Sequence, residues 1–169
     1  MKTWDGEGLD EVACMVLHQP YASLLMHVGK DGGRPKVHET RPRPLWKLQG
    51  RRVLVCAGKA RPRWSAFCGT SLDRLCRGLF GKRWLESLPF GSALGVVRFA
   101  ECVPADRPVN GLDRMCGDWG SGRWAIRTED PVPLAAPVPV VGRQGVFYLD
   151  VSPILWKAAE FARANREAR

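Results

Sequence analysis

His18-Gln19-Pro20-Tyr21-Ala22-Ser23-Leu24-Leu25, followed by Lys36-Val37-His38-Glu39-Thr40-Arg41-Pro42-Arg43-Pro44, is the stretch from which the rest of the chain can be read. Proline suits the first position of a helix, where its missing N–H would go unused, so Pro20 opens a short helix over 21–28. Gly29 supplies its stop. Proline also disfavours helix at the residue before it, so 36–41 reads as extended up to Pro42. Alternate residues of a strand share a face. That puts Lys36, His38 and Thr40 on one side, and Val37, Glu39 and Arg41 on the other.

Working outward, 12–17 is a compact apolar run and reads as a buried strand. Residues 52–57 form the next strand, and 63–88 is helical in character. Thr70 with Asp73 makes an N-terminal cap there, while Gly78 and Gly81 break the pattern. Strands are expected at 93–100, 123–127, 138–141 and 145–151. Pro131, Pro133, Pro137 and Pro139 cannot all occupy a central strand, so that stretch is an edge or a connection. Ile154 to Arg166 carries apolar residues at helical spacing. Short strands with a few interposed helices make an α+β domain built on a small β-barrel, closed or partly closed, with flanking helices. The length of 169 residues suits one domain, 1–169, with a core at about 12–151 and a C-terminal helix at 153–166.

The net charge is +9, and it is unevenly spread. Between Arg34 and Arg83 stand fourteen Lys/Arg against two acids, Glu39 and Asp73. The remainder is slightly acidic, which predicts one positive face and a polyanionic partner. A solvated basic surface is the plainer alternative. The six cysteines lack the close pairing of structural zinc ligands, so buried reduced thiols are expected and no metal or cofactor. No apolar run approaches the ~20 residues of a membrane span. The polar, acidic stretch Met1 to Glu7 is unlike a secretory signal. The expected location is cytoplasmic, or nuclear in a eukaryote.

The two opening motifs, taken together, resemble the ASCH signature, whose family is related in fold to PUA domains. The signature runs Gln-Pro-Trp/Tyr-Ala-Ser-Leu, then Gly-x-Lys-x-x-Glu-x-Arg, then a strand with a small-residue end, here Cys56-Ala57-Gly58-Lys59. Tyr21 and the run from Glu39 to Pro44 are most similar to the branch named for endothelial-overexpressed, lipopolysaccharide-associated factor. Gly122-Arg123-Trp124 and Gly142 to Phe147 look like the family's closing strands, so the likeness spans about 12–151. Asp31-Gly32-Gly33-Arg34-Pro35 is an insertion relative to the family, and the family lysine falls at Lys36 or Lys30.

The resemblance implies an RNA-associated binding module, taking single-stranded RNA, another nucleic acid or a nucleotide-like molecule in a cleft beside the helix from Pro20. Gln19 offers donors and acceptors to a base edge, Tyr21 a ring to stack on, and Ser23 a hydroxyl. Arg41 and Arg43 can grip phosphate bidentately. Lys36, Glu39, Lys59, Arg61, Arg63, Trp119, Arg123 and Arg143 complete the candidate ligand-binding set. The rival is a small hydrolase of the ASCH class, a ribonuclease or an N4-acetylcytidine amidohydrolase, with Lys36 and Glu39 as catalytic pair. That hydrolase pattern has a threonine three residues after the lysine, where this chain has Glu39. An interaction adaptor using the C-terminal helix is a third class. Each residue also has a structural reading: Gln19-Pro20 as a helix cap, Tyr21 as packing, Glu39 with Arg41 as an ion pair.

Overall fold

Strand alternation organises the centre of the molecule. In β1 (Glu11–Leu17), Ala13, Met15 and Leu17 pack into one apolar cluster, and Val12 and Cys14 into another on the opposite face. β3 (Arg52–Ala57) divides in the same way, so these strands are covered on both sides and read as continuous apolar runs. The computed structural model describes residues 11–106 and 109–155.

The remaining strands are β2 (His38–Arg41), β4 (Ser92–Pro104), β5 (Trp124–Pro139) and β6 (Val146–Asp150). They form one six-stranded sheet in the order β2-β5-β4-β3-β1-β6. β1 and β3 run parallel; the other pairings are antiparallel. The architecture is α+β, but the barrel is not closed: β2 and β6 are the open edges of the sheet and do not pair with each other. The sheet nevertheless curls. Arg41 of β2 donates from Nη2 to the Val16 carbonyl of β1 at 3.0 Å. In a flat sheet the four strand spacings between β2 and β1 would amount to roughly 19 Å, well beyond an arginine side chain. A side chain therefore bridges the seam that backbone pairing leaves open.

Two expected strands, 123–127 and 138–141, are one long strand that takes in the prolines. β5 pairs with β2 only at Trp124–Arg127 and continues beside β4 alone. Its proline-rich half is thus an edge, where a missing N–H costs no ladder bond. Bulges interrupt the β4–β5 register here. At Gly95 a Cβ would lie 2.5 Å from both the Val132 carbonyl and the Met26 side chain, so the close approach requires glycine.

The helices are shorter than expected. α1 (Tyr21–Met26) begins after Pro20, which flanks it as the cap across a cis Gln19–Pro20 bond, and ends before Gly29 because His27 is extended. Six residues do not hold a helix unaided. Leu24 and Leu25 are fully buried, each contributing about 1.5–3 kcal/mol. The expected helix at 63–88 is α2 (Ser71–Phe80) and α3 (Trp84–Ser87), preceded by a single 3₁₀ turn. Thr70 caps α2 through the Asp73 N–H at 3.1 Å, as the spacing predicts. Thr70→Ala is expected to cost about 1 kcal/mol, lowering Tm by roughly 2–4 °C in thermal unfolding.

α4 (Gly111–Met115) was not expected from the sequence. Of the C-terminal helix, only 152–155 lies among the described residues, where Ile154 joins the second cluster. No helix of the described residues is long and apolar enough to cross a membrane. All six cysteines are free thiols, and five are buried; Cys68 is exposed, against expectation.

Candidate functional site

A cleft of about 340 Å³ opens where the C-terminal end of β1 meets β2. Tyr21, Lys36, Glu39, Arg41, Cys116 and Arg123 contribute to its lining. β2 supplies the charged wall. Glu39 and Arg41 share a face, and their Oε1 and Nε lie 3.0 Å apart, an ion pair without hydrogen-bond alignment.

Lys36 also reaches Glu39, with Nζ 3.3 Å from Oε2, although strand alternation would separate the two. The reason is that β2 begins only at His38, so Lys36 precedes the regular strand. Its side chain doubles back, donating to the His38 carbonyl at 2.6 Å and the Cys116 carbonyl at 2.7 Å. With Glu39 as its ion-pair partner, this buried ammonium is partnered within the protein. The ammonium also lies 5.7 Å from the Tyr21 ring centroid. Tyr21 is half-buried, and burial pushes its phenol upward, with charge on Cys116, Cys76 and Glu39 adding to the effect.

The other face of β2 is fixed by residues that the sequence did not reveal as partners. Asp113, buried on α4, accepts from the Val37 and His38 N–H groups at 2.8 and 3.0 Å, and its Oδ2 lies 2.6 Å from His38 Nδ1. Burial pushes this carboxyl up, but the bonds from the His38 ring and the two N–H groups outweigh it and hold the group below the usual aspartate range. Asn110 caps α4 through the Asp113 N–H at 2.8 Å. An Asn three residues before an Asp was the available signal, but the five-residue helix has too little periodicity to show. Thr40 accepts from the Asp118 N–H, and Arg123 donates to the Thr40 carbonyl.

Cys116 lines the cleft but is a poor nucleophile. Burial raises its thiol to about 11, against the lowering effect of Lys36. Cys76 is raised by burial to about 12.

The structure thus brings together Tyr21, Lys36, Glu39, Arg41 and Arg123. Gln19 and Ser23 belong to local structure: the buried Gln19 amide donates to Ser23 Oγ and the Pro89 carbonyl, both at 2.8 Å, and accepts from the Ser23 N–H. Arg43 lines an adjoining cavity with Arg41. Trp119 lines a third cavity, which it shares with Arg123 and Trp124. Its ring stands edge-on to His38, and its indole N–H is buried without a partner among the described residues. Lys59 leaves β3 beside the cleft end: Gly58, its neighbour, donates to the Leu17 carbonyl at 2.8 Å. Arg61 stacks on Phe90 with 4.3 Å to the ring centroid, and Arg63 is exposed. Arg143 sits on the exposed loop before β6 and lines none of these cavities.

No family model matches the chain, and no curated protein matches it. Among solved structures it is similar to the ASCH protein of Zymomonas mobilis, at 12% identity over 88% of this chain and 92% of that one, with a TM-score of 0.46.

Proposed function

We propose that the chain is a nucleic-acid-binding module that takes a nucleotide unit of single-stranded RNA in the cleft between α1 and β2. The observation that carries this reading is how the cleft's charges are used. Lys36 is locked to Glu39 and to two backbone carbonyls, and Glu39 is held between Lys36 and Arg41, so they form a fixed wall rather than a proton shuttle. Arg41 keeps Nη1 without a protein partner among the described residues, and the Tyr21 ring lines the same space. A donor for phosphate and a ring for stacking are the two elements single-strand recognition needs. The lining carries three cations, Lys36, Arg41 and Arg123, against two carboxylates, Glu39 and Asp118. Lys59, Arg61 and Arg63, exposed on the loop that leaves the same end of the sheet, extend the positive surface. The likeness of the two sequence motifs to ASCH agrees with this reading; the narrower likeness to one branch adds no chemistry.

A salt titration with short single-stranded RNA tests it. Affinity is expected to fall steeply with salt, with a logarithmic slope near −0.7 per phosphate contact. Replacing Arg61 and Arg63 together by Ala should weaken all sequences alike and reduce that slope. Retained binding with a flat salt response would remove the phosphate contacts from the account. The same tubes, and parallel ones with N4-acetylcytidine, are then analysed for products. Turnover abolished by Glu39→Gln while binding persists would replace the binding module with a hydrolase.

A further inference from the structure

Arg41 and Pro42 are walls of two cavities at once. On one side lies the polar cleft; on the other is a cavity of about 220 Å³ formed at the open seam of the sheet. Met15 of β1, Leu45 and Val146 of β6 give this second cavity apolar walls, and Arg43 stands at it beside Arg41. The seam exists because β2 and β6 do not pair, and the Arg41 side chain crosses it. Arg43 is exposed and makes no hydrogen bond or ion pair among the described residues. The order along the seam is therefore a polar cleft beside an aromatic ring, then two guanidinium groups with unused donors, then an apolar slot.

We infer that this groove is a two-nucleotide site: one nucleoside occupies the cleft by Tyr21, the following phosphodiester lies on Arg41 and Arg43, and the next nucleoside fills the apolar seam cavity. The inference rests on the nucleic-acid reading of the cleft and deepens it. It makes the ligand an oligonucleotide rather than a free mononucleotide or modified nucleoside. A phosphodiester is the group that fits between the cavities, since it is the anion that joins two flat rings with apolar faces at adjacent positions, and arginine pairs bind phosphate oxygens by charge-assisted hydrogen bonds. The apolar walls contribute no base-edge partners, so the second position should be tolerant of base identity.

The test compares binding of the four ribonucleoside 3′-monophosphates with that of ApA, CpC, GpG and UpU by calorimetry. A monophosphate carries more negative charge than a dinucleoside monophosphate, so charge alone favours the shorter ligand. The expected result is dinucleotide binding at least tenfold tighter than that of the corresponding monophosphate. Val146→Trp fills the seam cavity and is expected to remove this gain while leaving monophosphate affinity within twofold. Arg43→Glu, a change on the exposed surface that disturbs no packing, should weaken the dinucleotide at least tenfold. Wild type that binds both ligand classes equally would overturn the two-nucleotide site and leave the cleft reading standing. A dinucleotide gain that survives both variants would also overturn it. If neither class binds, the cleft reading falls and the two-nucleotide site falls with it.

Discussion

Lys36→Met is expected to destabilise the protein by about 3–5 kcal/mol, the range for breaking a buried ion pair by removing one partner. Thermal unfolding followed by circular dichroism should show Tm lowered by roughly 10 °C or more. The size of the effect follows from what the ammonium holds. The Lys36 side chain is 1% exposed and ties two elements together: β2, through the His38 carbonyl and Glu39, and the end of α4, through the Cys116 carbonyl. Methionine fills much of the same volume but leaves both carbonyls without this donor and Glu39 with Arg41 alone. The double change Lys36→Met with Glu39→Gln should cost less than the sum of the two single changes, because the carboxylate is then no longer left without its partner. A Tm within 2 °C of wild type for Lys36→Met would show that the buried pair does not hold these elements together. Strict additivity in the double variant would show that the two side chains act independently.

Lys36 also shows how far the sequence could be read. Its place beside Glu39 and Arg41 was legible from the motif, because Pro42 forces the preceding residues into extended backbone. Its contact with Glu39 was not, since regular alternation assigns the two to opposite faces and the strand starts two residues later than the pattern implies. The apolar strands β1 and β3 were legible because both faces are buried and leave continuous apolar runs. β5 was split in two by its prolines, which are tolerated because β2 leaves that half of the strand unpaired on one side. The charge count was a coarser guide. It counted Lys36, and also Arg34, which donates to the Thr128 carbonyl, Thr128 Oγ1 and the Leu25 carbonyl. Both cations serve internal bonds, so total charge overstates what remains for a ligand. Gln19 was read as a base-reading amide, yet its hydrogen bonds stay within the turn before α1 and the chain at Pro89. A sequence motif marks positions where a polar side chain is required; it does not tell whether that side chain faces a ligand or the backbone.

Asp113→Ala should cost about as much as losing Lys36, because it orphans donors at the root of the same strand. The Asp113 carboxylate accepts two backbone N–H groups and faces the His38 ring, while the carboxyl-bearing residue is only 1% exposed. Two bonds to a charged acceptor at about 1.5–3 kcal/mol each set a loss on the order of 3–6 kcal/mol. Asp113→Asn separates charge from geometry. Its amide oxygen still accepts from Val37 and His38, and its amide N–H donates to His38 Nδ1 in the opposite ring tautomer. This variant should therefore retain more of the stability than Ala does. The pH dependence distinguishes the two contributions. A carboxyl held below its ordinary value contributes stability that is fully present above the unfolded pKa near 3.9 and is lost as pH falls through the folded one. The Tm difference between wild type and Asp113→Asn should thus be constant above about pH 5 and shrink as the solution is acidified below about pH 4. Arg34 and Cys116 are titratable groups on which this carboxylate acts, and neither is carried away by the substitution. A Tm difference that stays flat down to acid pH would mean that the Asp113 charge contributes nothing beyond its shape. A difference that widens on acidification would reverse the sign of the linkage and show that the carboxyl is protonated in the folded protein. With the Asp113 side chain in place, β2 starts where α4 holds it, and Glu39 and Arg41 line the cleft; with alanine there, the Val37 and His38 N–H groups at the root of the strand lose their acceptor.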